Sequence, residues 1–305
     1  MSSHGPRNKT VLVTGGAGFI GSHLVDSLVP NNEVRVLDNF STGSHENLNS
    51  EAEVIETDLQ NEKATENALQ DVDLVFHQAA QVSVTRSIEQ PQESFSNNLA
   101  ATLNILEQAR TNDFRVVLAS SCAIYGDPEE TPVPESHPKD PQSPYGLEKL
   151  TVDRYARLYH DLYDVETVAL RYFNVYGPRQ SGGDYSGVIS IFKRQAKNGE
   201  PITVEGDGEQ TRDFVHVDDV VRANLLAAET DHVGAAYNVG TGSTVTIREL
   251  AEQIRTVSGS NSDIRHVDGR DGDIGRSQAD TGRIRSRMRC ESKISLTEGL
   301  QSLFE

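Results

Sequence analysis

The first 170 residues alternate between short apolar runs and longer segments with apolar positions every third or fourth residue. Residues 10–14, 33–38, 53–57, 73–76, 115–120 and 166–171 are short runs rich in Val, Leu and Ile. Such runs, bounded by polar positions, predict strands buried on both faces. Between them, residues 20–28, 62–69, 91–110 and 144–163 carry the helical period. This alternation predicts a parallel sheet covered by helices on both sides, and six strands in that rhythm predict a doubly wound α/β architecture able to bind a dinucleotide.

After about residue 175 the rhythm changes. Glycine-rich turns, short runs at 202–204 and 214–216, and helical spacing at 188–198, 217–229 and 248–257 predict a smaller mixed α/β lobe. Residues 235–239 predict a strand that returns to the first sheet. The division that follows is a dinucleotide lobe over 1–175 with a returning segment near 213–245, and a second lobe from 176–212 and 246–305. Residues 127–144 hold six prolines, which predicts an ordered excursion rather than a helix or central strand. A long ordered loop between a strand and a helix is a frequent carrier of function.

Composition narrows the partners. A net charge of −18 opposes binding to nucleic acid and to anionic membranes. The 28 basic residues divide into 21 Arg and 7 Lys, and an acidic chain poor in lysine resembles adaptation to high salt. Any anionic substrate then needs a local arginine cluster. Two cysteines, Cys122 and Cys290, make neither a disulfide framework nor a metal-ligand set. With no apolar stretch in the polar start, the expectation is a reducing, cytoplasmic setting and no metal.

The strand at 10–14 runs into TGGAGFIG, residues 14–21. There Gly15 permits a tight turn, Gly18 lets backbone approach a pyrophosphate, and Gly21 lets the helix pack closely on the strand. The helix start, through Phe19 and Ile20, offers free N–H groups and a positive dipole to phosphate. Asp38 closes the second strand, where a carboxylate binds a ribose hydroxyl and repels a 2′-phosphate, favouring NAD over NADP. Asp58 and Leu59 follow the third strand and could hold the adenine edge. Tyr145 and Lys149, four apart in YGLEK, share a helix face. A lysine ammonium beside a phenol lowers the phenol pKa, which suits proton transfer near neutral pH. Ser121, at the end of the 115–120 strand, could converge on Tyr145.

Taken together, TGGAGFIG, HQAA (77–80), SSCAIYG (120–126), YGLEK (145–149) and RYFNVYGP (171–178) resemble the extended short-chain dehydrogenase/reductase family with its Rossmann fold. More narrowly they are similar to its NAD-dependent nucleotide-sugar epimerases, of the UDP-glucose/UDP-N-acetylglucosamine 4-epimerase type. The resemblance implies Tyr145 as catalytic acid/base, Lys149 as the residue that tunes it and holds the nicotinamide ribose, and Ser121 as the catalytic serine. It puts Asn39, Ser41, Gln78, Ala79, Ala80, Asn97, Ser120 and Tyr172 on cofactor-contacting positions, and Asn174 and Val188 on substrate-contacting ones. It also implies a homodimer built on the helices at 91–110 and 144–163.

In the second lobe GDGEQTRDFV (206–215) and RDGDI (270–274) resemble the family's nucleotide-binding segments, with Arg212 and Arg270 on the diphosphate. Guanidinium pairs bidentately with phosphate, which is why arginine serves there. Related dehydratases follow the catalytic Thr with Asp-Glu, and decarboxylases carry a nearby Glu. Here Cys122 and Ala123 follow Ser121, leaving no carboxylate for either task, so simple epimerisation is the expectation. Another NAD-dependent nucleotide-sugar oxidoreductase or dehydratase is the alternative, and a non-catalytic NAD-binding scaffold, with no need of Ser121, Tyr145 and Lys149 together, the lesser one. GDP-sugar epimerase-reductases use a cysteine in a similar stretch, one position further along. Strand alternation is expected to turn Cys122 away from the cofactor. By the same resemblance, SQAD (277–280) puts Ser277 on the position that is small in 4-epimerases accepting N-acetyl sugars, so tolerance of UDP-N-acetylglucosamine as well as UDP-glucose is the expectation.

Overall fold

The computed structural model describes residues 5–180, 187–269 and 274–304. Six strands follow in chain order: β1 (Thr10–Thr14), β2 (Glu33–Asp38), β3 (Glu53–Glu56), β4 (Leu74–His77), β5 (Arg115–Ser121) and β6 (Thr167–Tyr172). After them lie β7 (Asn174–Tyr176), β8 (Ile202–Glu205), β9 (Thr211–Arg212), β10 (Phe214–His216), β11 (Ala235–Val239), β12 (Val245–Thr246) and β13 (Ile264–Val267). The main sheet has seven strands in the order β11-β6-β5-β4-β1-β2-β3, all parallel. It is the doubly wound order extended by one returning strand. Because helices cover both faces, the inner strands bury nearly every residue, and continuous apolar runs replace alternation.

On this sheet lie α1 (Phe19–Leu28), α2 (Glu62–Ala68), α3 (Val84–Glu89), α4 (Pro91–Phe95), α5 (Ala101–Asn112) and α6 (Pro144–Tyr163). The later helices are α7 (Val188–Asn198), α8 (Val217–Glu229), α9 (Ile247–Val257), α10 (Gly282–Met288) and α11 (Leu296–Gln301). One apolar cluster, with Val11, Leu24, Phe76, Val220 and Tyr237, fills one side of the sheet. Another, with Leu12, Leu69, Ile105 and Ala156, fills the opposite side. A third joins α7, α9 and α11 through Ile189, Phe192, Leu250, Ile254 and Leu300. Helix α8 packs beside α1 against β5 and β6 rather than with α7 and α9.

Two helices differ instructively. α6 begins where the sequence puts it: Ser143 caps it by accepting from Gly146 N–H at 3.1 Å, and Pro144 occupies the first turn. The helical run at 91–110 is instead broken into α4, a π-turn at Ser96–Ala100 and α5. That wider turn carries Asn98, whose buried side chain bonds to α6. Such turns recur at functional sites.

The proline-rich excursion is fastened from below. Arg171 of β6, 2% exposed, donates twice to buried Asp153 of α6, and also to Tyr125 Oη and the Glu135 carbonyl. Tyr125 in turn donates to Asn238 Oδ1 at 2.7 Å, while Val133 N–H donates to the Gln278 carbonyl at 2.8 Å. The loop leading to Tyr145 is thus bound to β6, β11 and the 277–280 segment at once.

Candidate active site

The glycine turn lies at the carboxyl end of β1. Gly15 has φ +67°, and a methyl there would come within 2.7 Å of Ala79 N, so only glycine serves on both counts. Gly18 precedes α1 in extended conformation with no side-chain cap, leaving the first N–H groups of the helix without an intrahelical partner. A methyl at Gly21 would collide with the Gly15 carbonyl. Gly16, passed over in the sequence reading, is equally constrained, since a methyl would sit 2.8 Å from Val36.

Asp38 is buried at the end of β2, accepting from Ala17 N–H at 2.9 Å and Phe40 N–H at 2.8 Å. It braces the turn, with lone pairs left for a hydroxyl. Beyond it, Asn39 donates to Asp58 at 2.8 Å, and Asn39 Oδ1 accepts from Ser41 N–H. Leu59 buries its side chain in the core, so backbone alone is available there. Gln60 donates to Asn97 Oδ1 at 2.8 Å, placing Asn97 on the same rim.

His77 ends β4 buried between Thr14 Oγ1 at 2.8 Å and Thr102 Oγ1 at 2.9 Å. Burial, aided by the Lys149 charge, pushes its pKa down to about 3, so the ring is neutral. Ala79 N–H donates to Thr14 Oγ1, and Ala80 follows in the same half-buried loop. Gln78 and Tyr172 bond to each other and to Asn224 of α8. With the Tyr172 hydroxyl spent on that trio, only its ring and backbone remain for another partner. Ser120 Oγ and Gln81 Nε2 are buried without a hydrogen-bond partner among the described residues. Orphaned polar atoms beside an uncapped helix start and a braced glycine turn suit a polar cofactor of dinucleotide size.

Ser121 ends β5, and the chain bends at once into a 3₁₀ turn at Cys122–Tyr125. α6 presses on that turn, for a methyl at Gly146 would lie 2.9 Å from the Ala123 carbonyl. This contact brings Tyr145 to Ser121, near enough for the serine to favour the ionised phenol. Lys149, buried, donates to the Ala119 carbonyl at 2.9 Å, with Nζ 6.0 Å from the Tyr145 ring centroid.

Two expectations require correction here. Tyr145 is pushed up to about 12, not down: burial outweighs the lowering influence of Ser121, and Cys122 and Glu148 push further the same way. Lys149 spends a proton on Ala119 and stands off the phenol, so it does not offset the burial. Lys149 itself is drawn down to about 8 by burial, against the Glu148 charge. Cys122, secondly, is not turned away. Strand alternation stops at Ser121, and the 3₁₀ turn swings Cys122 toward Tyr145, Ser277 and Arg212. Burial raises the thiol to about 11, leaving it protonated.

On the second lobe, Ser277 is buried and donates its N–H to the Thr211 carbonyl, which sets it beside Arg212. Asp213 holds this region together by accepting from Thr241 N–H, Thr241 Oγ1, Gly242 N–H and Ala279 N–H. Asn174 Nδ2 donates to the Asp213 carbonyl, and Val188 opens α7. Arg270 lies outside the described residues. Ser121, Cys122, Tyr145, Arg212 and Ser277 therefore meet in one region, with Lys149 and the glycine turn at its cofactor side. Sequence reasoning missed Glu148, Asn98 and Asn224, which look like ordinary helix polar residues; only their burial distinguishes them.

A doubly wound sheet with a braced glycine turn and a Ser–Tyr–Lys group at its carboxyl edge fits a dinucleotide-dependent enzyme. The chain belongs to the NAD dependent epimerase/dehydratase family, whose profile matches residues 11–240. It is 43% identical over 296 residues to a Methanocaldococcus jannaschii protein provisionally named UDP-glucose 4-epimerase, covering 95% of this chain and 96% of that one. The UDP-N-acetylglucosamine 4-epimerase of Methanobrevibacter ruminantium, solved with UDP-N-acetylmuramic acid, superposes with a TM-score of 0.94 at 39% identity over 97% of each chain. The UDP-glucose 4-epimerase of Thermotoga maritima, solved with UDP-glucose, gives 0.93 at 38% over 96% of each. Among the described residues no helix is long and apolar enough to cross a membrane.

Proposed function

We propose that this protein interconverts the C4 epimers of a UDP-hexose, UDP-glucose and UDP-galactose first and their N-acetyl counterparts as well. The observation that carries this reading is the convergence of Ser121 and Tyr145 in a region with no spare carboxylate among the described residues. Glu148, the carboxylate that bears on Tyr145 among the described residues, accepts instead from Ser94 and Asn98. Elimination and decarboxylation would need such a group at the sugar.

The glycine turn, Asp38 and Ser120 would hold NAD, with Asn97, Asp58, Gln78–Ala80 and the Tyr172 ring around it. NAD held there supplies the acceptor and donor of the C4 hydride. Tyr145 exchanges the proton of the C4 hydroxyl, and the Ser121 hydroxyl is the group that moves the phenol back toward its ionised form. Lys149 adds positive charge at the ribose side. Arg212, with Arg270, binds the diphosphate, and Asn174 and Val188 line the nucleotide. Ser277 and the Cys122 thiol are small enough to leave room for an N-acetyl group. The division of labour is a dinucleotide lobe of 1–175 with 213–245, and a sugar-nucleotide lobe of 176–212 with 246–305.

The test is purified protein with UDP-glucose, UDP-N-acetylglucosamine and UDP-glucuronate, products read by NMR. Appearance of the galacto epimers supports the reading, and a pentose from UDP-glucuronate alone would overturn it.

The same reading includes a homodimer. Leu147, Leu158 and Leu162 lie exposed along one face of α6, with Ile88 and Phe95 exposed on the neighbouring α3 and α4. An apolar stripe of this kind marks an interface. The double change Leu158→Glu and Leu162→Glu is expected to halve the mass seen by light scattering while leaving the helical circular dichroism intact. A wild-type chain already at monomer mass would rule the dimer out.

A further inference from the structure

Glu148 stands one residue before Lys149 on α6, and its carboxylate is buried. Its Oε2 accepts from Asn98 Nδ2 at 2.6 Å and from Ser94 Oγ at 2.8 Å. Both donors come from the helical run opposite, and Asn98 sits in its π-turn. Asn98 also grips the backbone of Gln81 from both sides. Its Oδ1 accepts from Gln81 N–H at 2.8 Å, and its Nδ2 donates to the Gln81 carbonyl at 3.0 Å. Gln81 ends the loop whose Ala79 backbone lies against Gly15. An unbroken chain of hydrogen bonds thus runs from the residue beside Lys149 to the loop that closes over the glycine turn.

The charges complete the picture. The titratable groups that face Lys149 are Glu148 and Tyr145 from α6 and His77 from β4. His77 is neutral and Tyr145 protonated. Among the described residues Glu148 is therefore the negative charge that offsets the buried ammonium.

We propose that Glu148 is a positioning residue for the Tyr145–Lys149 pair, locking α6 to the π-turn and, through Asn98, to the 79–81 loop, while supplying the counter-charge of Lys149. The proposal rests on the epimerase reading for what the pair does, but not for the structure that holds it. Burial draws Lys149 down to about 8 even with Glu148 opposing it. For Tyr145, Glu148 is the least of the four influences, so removing the carboxylate acts chiefly on the lysine. Without it the ammonium loses its proton at lower pH, and positive charge disappears as pH rises through the new value.

Glu148→Gln keeps an acceptor and deletes the charge. The expected result is a Lys149 titration about one pH unit lower. It is read without turnover, from the pH dependence of Lys149 acetylation by acetic anhydride and mass spectrometry. The alkaline limb of kcat moves down by the same amount, with KM for UDP-glucose changed less than about twofold. Glu148→Asp, which keeps the charge, is expected to restore the Lys149 titration. If Glu148→Gln does not fold, Glu148→Met, uncharged and of similar volume, takes its place with the same downward shift expected. An unchanged Lys149 titration in the folded variant overturns the proposal. Failure of the wild type to turn over any UDP-hexose overturns the epimerase reading instead, and the lysine titration still decides the role of Glu148.

Discussion

Replacing Tyr145 with phenylalanine is expected to lower kcat for UDP-glucose about 10³-fold, the loss typical of a missing general acid/base, with NAD retained. The structure sets the phenol against Ser121, and the proposed reaction makes it the acid/base. The change leaves the backbone in place: the Tyr145 N–H still donates to Ser87 Oγ at 3.2 Å. Lys149 keeps its bond to the Ala119 carbonyl. The loss belongs in kcat rather than KM, because the proton moves only during reaction. Single-turnover rates and the NAD released on denaturation measure the two sides separately. A variant within tenfold of wild type would assign the proton to another group, and Cys122, whose thiol lies close by, is the first to examine.

Gly21→Ala is expected to cost both cofactor and stability. The new methyl meets the Gly15 carbonyl and lies 2.9 Å from Gly16 Cα. Both are backbone, so neither yields by a rotamer change. Relief requires α1 to move off the turn, carrying away the free N–H groups that the proposed NAD pyrophosphate would meet. Overpacking of this kind costs about 1–3 kcal/mol, which for a chain this long lowers Tm by roughly 2–6 °C. The variant should be purified without bound NAD. Gly275→Ala is the control, since nothing lies within 4 Å of a methyl there, and its Tm should match wild type. A Gly21→Ala protein that keeps NAD and Tm would show that the close packing of helix on turn is dispensable.

The features legible from sequence are those with long periods or strong punctuation. β1, β2, α6, α7 and α8 run where spacing and caps put them. The short strands β7, β9, β12 and β13 carry two to four residues, too few for any period to register. The π-turn was hidden because one extra residue barely disturbs apolar spacing. Ser121 and Tyr145 could be paired from motif order, yet the direction of the phenol shift could not. It depends on how burial compares with the distance to an ammonium, and only geometry supplies either. Cys122 was misdirected by carrying strand alternation one residue beyond β5. Glu148 and Asn98 were invisible for a different reason: buried and surface polar residues are spelled alike, and the partner that makes burial tolerable lies 50 positions away.

The central claim is that the C4 hydrogen of the sugar leaves and returns within one closed site. The direct measurement is UDP-glucose deuterated at C4, incubated with the purified protein and followed by NMR and by absorbance at the reduced-nicotinamide band. The account predicts UDP-galactose with the deuterium still at C4 and no net accumulation of NADH. Deuterium lost to solvent, or NADH rising in step with product, would contradict it.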